Sequence, residues 1–250
     1  MSHHVLMTFP THKWKEYGQY CLPSFDKNWP EHVQGSVYLE GEQKVPYEYS
    51  DRVEIIDFDQ RLGDKIKSFE ERNKNRDIFD LGTTGAIGKQ AAKFARKVYA
   101  QLDALRSPKG RYVWYVDADL QTCETVPDDL LDNLTSGNHY IGCLPRKWKP
   151  MYTETGFILW DTHHPAHQEW CDLYQSCYDD DKIFEFNAWH DCIAFDYATD
   201  TLLSSGKISI ADFGYGVKSS HPLVTGPLGR YFDHMKGKRK FVGHSKERRK

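Results

Sequence analysis

The 250-residue sequence contains no run of about 20 consecutive apolar residues, which leaves no candidate for a bilayer-crossing helix. Its first residues, MSHHVLMTF, lack the charged-then-apolar pattern of a secretory leader. The cysteines (Cys21, Cys123, Cys143, Cys171, Cys177 and Cys192) form no C-x-x-C pair and show no regular spacing. They read as reduced thiols acting as small apolar residues. Together these absences predict a cytoplasmic protein. Internal repeats and low-complexity linkers are missing too, so one domain over residues 1–250 is expected.

What is present is a hydrophobic fraction of 39%, enough for one sizeable core, and an aromatic fraction of 14% that suits a sculpted ligand site. Charge is uneven. Lys236 to Lys250 hold eight Lys/Arg against one Glu, a net +7, so the preceding residues carry −10 of the overall −3. Such a tail is either a solvated terminus or a seeker of phosphate on a nucleotide, nucleic acid or lipid.

Strands are predicted at HHVLMTF (3–9), GSVYLEG (35–41), RVEIIDF (52–58), RYVWYV (111–116), YIGCL (140–144) and GFILW (156–160). Helices are expected over about 14–26, 60–76 and 91–105, from Pro127 to Leu134, and around Trp170–Cys177. A further helix is expected to show Trp189, Cys192, Ile193 and Asp196 on one face. Alternation of strand and helix argues for an α/β sheet with crossover helices. The unbroken apolar run before Asp117 suits a strand buried on both faces of a mainly parallel sheet. Ligands of open sheets bind outside the carboxyl ends of the strands.

WYVDADLQT (114–122) places Asp117 and Asp119 at such an end. Carboxylates one residue apart repel each other unless a hard divalent cation, with positions left for substrate phosphates, lies between them. The alternative is a turn or a cap for the next helix. Two other motifs are set aside. LGTTGAIGKQ (81–90) has five residues between Gly82 and Gly88, and Gln90 where a phosphate loop needs Ser or Thr. His163 and His167 have Pro165 between them and no Glu, unlike a zinc-protease helix.

AAKFARKVYAQLDAL…RYVWYVDADLQT followed by TETGFILWD resembles the GT-A fold nucleotide-sugar glycosyltransferases, most closely the retaining glycogenin-like and lipopolysaccharide galactosyltransferase-like family. The resemblance implies a Rossmann-like, mainly parallel central sheet flanked by helices. It also implies Mn2+ (or Mg2+) on Asp117 and Asp119, and a UDP-sugar as donor. The family's C-terminal His-x-x-Gly-x-x-Lys is matched by His234, Gly237 and Lys240, although Phe241 and Val242 replace the usual Pro-Trp. His234 would then be the third metal ligand, with His221 its competitor, Lys240 a diphosphate contact, and Gly237 a point of close backbone approach.

By the same resemblance Thr8, His12 and Asp57 (or Asp59) would hold base and ribose. Lys93 and Arg96 would face the donor unless they are solvated helix charges. Glu154, Thr155 and Gly156 would line the sugar and acceptor side unless they form a plain polar turn. Trp189-His190-Asp191 stands where the family has acidic-Gln-acidic, which makes His190 and Asp191 the candidate catalytic groups and leaves retention, slightly favoured, open against inversion. The acceptor is unidentified: a glycan, a small molecule or a modified DNA base. Rival readings are a nucleotidyltransferase, disfavoured because TFPTHKWK has no glycine after the first strand, and a nucleic-acid-binding protein using the tail.

Overall fold

The computed structural model describes residues 2–78, 90–146, 151–237 and 239–248. The glycine-bearing stretch 81–89 lies outside the described residues.

A seven-stranded sheet in the order β3-β2-β1-β4-β7-β6-β8 forms the centre. Its strands are β1 (His3–Pro10), β2 (Gln34–Glu40), β3 (Val53–Asp57), β4 (Tyr112–Val116), β6 (Ile141–Leu144), β7 (Glu154–Asp161) and β8 (Ile210–Asp212). β3, β2, β1 and β4 run parallel, and β8 is parallel to β6, but β7 is antiparallel to both of its neighbours. The apolar run of β4 predicts burial, and all five residues are buried. It does not encode strand direction, because a strand covered on both faces is apolar whichever way its partners run.

On one face lie α2 (Phe58–Arg72), α3 (Ala91–Arg106), α5 (His167–Asp179) and α6 (Asp191–Ser204). On the other lie α1 (Gly18–Asn28), α4 (Asp128–Thr135) and α7 (Pro222–Thr225), with a two-stranded ribbon of β5 (Leu120–Thr122) and β9 (Phe232–His234). A short α8 (Arg239–Val242) follows. Two expectations need correction. α1 begins at Gly18, not near Trp14, because Thr11–Lys13 form a separate 3-10 turn and Tyr17 leaves the helical region (φ −130°, ψ −70°). Trp189 is not on the face of α6, which starts only at Asp191, after His190 in extended backbone.

The ribbon is anchored before any site is considered. Phe232 is fully buried against Phe157 (centroids 4.8 Å) and Trp29 (5.9 Å). Burial of such a ring contributes about 1.5–3 kcal/mol. α1 grips β5 through Thr122: its amide donates to Ser24 Oγ (2.9 Å), its carbonyl accepts from Asn28 Nδ2 (2.7 Å), and its hydroxyl accepts from Trp29 Nε1 (3.0 Å).

Candidate functional site

β4 ends at Val116, and the chain turns at once: the Leu120 amide donates to the Asp117 carbonyl at 2.9 Å, and the Asp117 amide to the Gly156 carbonyl at 2.9 Å. β5 leaves this turn and pairs with β9, Leu120 opposite His234. That pairing sets His234 Nε2 2.9 Å from Asp119 Oδ1, 115 residues away in sequence, and 3.6 Å from Asp117 Oδ2. One donor atom from each of Asp117, Asp119 and His234 falls within 4.8 Å of the others. His221 does not join that group; it precedes α7, and burial, then Lys236, lower its pKa.

His234 is 1% exposed and lies among carboxylates. Its Nδ1 is 2.7 Å from Glu154 Oε1. Burial and the nearby Lys236 push its pKa down, but Asp119 and Glu154 outweigh them and hold it at about 9. Burial raises and His234 and Lys240 lower the pKa of Asp119, leaving it well below the ordinary carboxylate range. Lys240 Nζ is 2.9 Å from Asp119 Oδ2 and 4.2 Å from the centroid of the Tyr17 ring. Gly237 has φ 60°, the left-handed region that favours glycine, and is exposed.

The donor set suits a divalent cation. Two carboxylates and an imidazole supply hard oxygens and one borderline nitrogen, which fits manganese or magnesium better than a thiophilic metal. The backbone is shaped for the convergence. A Cβ at Gly156 would lie 2.2 Å from His234 Cε1, 2.8 Å from its Nδ1 and 2.9 Å from Asp117 Oδ2. Only a residue without a side chain lets the ring and the carboxylate meet there. Gly156 is thus spacing for the cluster.

A second knot adjoins the first. Lys97, on α3, places Nζ 2.8 Å from Asp117 Oδ1, 2.7 Å from Asp191 Oδ2 and 3.1 Å from the Thr155 carbonyl. Asp191 is 2% exposed and also accepts from the Thr155 hydroxyl at 2.6 Å. Burial raises its pKa, but Lys97 brings it below the ordinary value. His190 packs edge-on to Tyr152 and Phe94, and its Nδ1 is buried without a hydrogen-bond partner among the described residues.

The other sequence candidates are distributed as follows. Thr8 lies towards the carboxyl end of β1 with a buried hydroxyl that has no partner among the described residues, while His12 is exposed. Asp57 caps α2 by accepting from the Gln60 amide (2.9 Å), and Asp59 accepts from the Gly41 amide (2.8 Å). Arg96 pairs with Glu70 (3.0 Å) and Glu40 (3.6 Å), and Lys93 is exposed. Lys97, rather than either of these, is the α3 cation that meets Asp117. The sequence carries no signal for it: Lys97 lies off the apolar stripe of α3, where a solvated lysine is ordinary. Among the zinc-like histidines, His167 instead bonds Tyr140 (3.1 Å) and the Leu105 carbonyl (2.9 Å). No described helix is long and apolar enough to cross a membrane.

The chain matches no protein-family model and no curated protein. Its structure is similar to that of mouse xyloside xylosyltransferase 1 in the apo form, with TM-score 0.51, 14% identity, and 85% of each chain covered. Apo glycosyltransferase GlyE of Streptococcus pneumoniae TIGR4 aligns with TM-score 0.48 and 11% identity over 86% of this chain and 46% of that one. The fold is the GT-A type.

Proposed function

We propose that the protein is a metal-dependent glycosyltransferase that moves a sugar from a nucleoside diphosphate sugar, most closely fitting a UDP-sugar, to an acceptor hydroxyl. The observation that carries this is the convergence of Asp117, Asp119 and His234 at the carboxyl end of β4. Those three residues would hold Mn2+ or Mg2+, the imidazole favouring manganese. A divalent cation held there supplies positive charge to a departing diphosphate.

The chain's own groups complete the site. Lys240, beside Asp119, adds a cation for the diphosphate, and Gly237 offers an unhindered backbone next to it. Thr8 lies on the side where base and ribose would bind. Lys97 ties the metal-side Asp117 to Asp191, so the two halves of the site are positioned together. Asp191, buried and held ionised with a lowered pKa, is a weak proton acceptor. Lys97 and the Thr155 hydroxyl both occupy Asp191 Oδ2, an arrangement that suits the retention slightly favoured by the family resemblance better than a free base for inversion. His190, whose buried Nδ1 has no partner among the described residues, would then lie on the sugar side.

The nucleic-acid reading gains no support. Among the described tail cations, Lys236, Lys240 and Arg248 engage Glu154, Asp119 and the carbonyls of Gly229 and Arg230, Arg239 pairs with Glu247 of the tail itself, and Lys246 is exposed.

The experiment is hydrolysis of a panel of sugar nucleotides with Mn2+ and with chelator, following the released nucleoside diphosphate and the product anomer. Manganese-stimulated release is expected with one donor, and Asp119→Ala and His234→Ala should each lower it by about 100-fold or more. Full activity in either folded variant contradicts the assignment.

A further inference from the structure

The residue-by-residue resemblance assigns Glu154 to the sugar side of the site, but its surroundings describe another task. Glu154 is 0% exposed, the first residue of β7, and its Oε1 lies 2.7 Å from His234 Nδ1 and 3.2 Å from Lys236 Nζ. A buried carboxylate is tolerated only when paired. Here His234 and Lys236 are those partners, both on the same oxygen. Its second oxygen is buried with no partner among the described residues. A group kept only for packing would be better served by an apolar side chain of the same size.

The His234 ring is therefore held from two directions. Glu154 engages the edge bearing Nδ1. Gly156, two residues on and on the same side of the strand, lies against Cε1 and leaves room for the ring but for nothing larger. The intervening Thr155 turns to Asp191 instead. A neutral imidazole carries one ring proton. With that proton on Nδ1 and accepted by Glu154, the lone pair is on Nε2, the atom facing Asp119 and Asp117.

We propose that Glu154 is a positioning residue that fixes the tautomer and orientation of His234, so that Nε2 is presented to a divalent cation. This rests on the metal-dependent reading above. A carboxylate behind a ligating histidine raises its basicity, and loss of such a partner lowers metal affinity by about 10- to 100-fold.

The test measures Mn2+ affinity of the full chain, without donor, by electron paramagnetic resonance of free Mn2+, for wild type, Glu154→Gln, Glu154→Asp and His234→Ala. Long-range 1H–15N spectra of the Mg2+-saturated protein report the His234 tautomer. The expected result is Mn2+ binding by wild type, binding weakened about 10- to 100-fold in Glu154→Gln, and smaller weakening in Glu154→Asp, which keeps the charge but retracts it. The spectra should show Nδ1–H alone in wild type and mixed tautomers in Glu154→Gln. If Glu154→Gln does not fold, Glu154→Asp carries the same comparison. Equal affinity and an unchanged tautomer in the glutamate variants, with His234→Ala impaired, overturn the role of Glu154 and leave the metal reading standing. No Mn2+ binding by wild type, or equal binding by His234→Ala, overturns both.

Discussion

The two ends of the central strands each bury a histidine, and they treat it in opposite ways. At the amino end His4 is 3% exposed, with Nε2 3.0 Å from the Ser36 hydroxyl, which in turn donates to Glu54. Burial, with help from Lys109, lowers its pKa to about 4. At the carboxyl end His234 is just as buried, yet its pKa is held at about 9 because carboxylates take the place of hydroxyls. Burial alone makes an imidazole neutral; it takes adjacent anions to make it a cation. At the amino end the ring meets a hydroxyl at Nε2, and its Nδ1 is buried without a partner among the described residues. The carboxyl end concentrates Asp117, Asp119 and Glu154 around one ring, an arrangement that costs stability unless cations fill it, and Lys97, Lys236 and Lys240 supply them in this structure.

The largest effect on turnover is expected from removing the space at the carboxyl end. Gly156→Ala places a methyl inside the contact radius of His234 and Asp117. It should destabilise the protein by about 1–3 kcal/mol in urea titration, and lower manganese-stimulated turnover by about 100-fold or more. An active, equally stable Gly156→Ala would show that the two side chains need not meet.

Next is Lys97→Met, which leaves Asp191 buried without its cation. Breaking such a pair costs about 3–5 kcal/mol; since Asp191 keeps its Thr155 hydrogen bond, the lower part of that range is expected. A change below about 0.5 kcal/mol, the ordinary range for surface substitutions, would mean the bridge contributes nothing.

The difference between the two histidines sharpens into a pH test in chelator. The raised pKa of His234 contributes stability that is complete below 6.5 and lost as pH rises to about 9. The lowered pKa of His4 acts in the other direction: its stability is complete above 6.5 and lost as pH falls to about 4. Thermal unfolding should therefore show the alkaline limb flattened by His234→Asn and the acid limb by His4→Asn. The same limb moving in both variants would erase the distinction. The smallest effect on turnover, none, is expected from Ser36→Ala at the amino end, where the hydroxyl's bonds to His4 and Glu54 are worth about 0.5–1.5 kcal/mol each.

Much of this was legible in the chain. An apolar run broken by Asp117 and Asp119 signals a strand end, and the family resemblance points to His234, Gly237 and Lys240 as a second arm of the same site. What stayed hidden depends on partners far away in sequence. Lys97 resembles any helix lysine until Asp117 and Asp191 are brought to it from opposite sides. Glu154 reads as a polar strand start until β9 lays His234 against it. The reversal of β7 left no mark because burial dictates composition while direction does not. The late start of α1 depends on the 3-10 turn at Thr11–Lys13 and the non-helical Tyr17, which helical periodicity does not carry.

The most direct measurement is anomalous diffraction at the manganese edge from crystals soaked with Mn2+ and a nucleoside diphosphate. The expected result is one peak in coordination contact with Asp117, Asp119 and His234 Nε2, with the diphosphate on its open side and Lys240 turned toward it. A saturated crystal with nucleotide bound and no peak at that cluster would contradict a metal-bridged diphosphate.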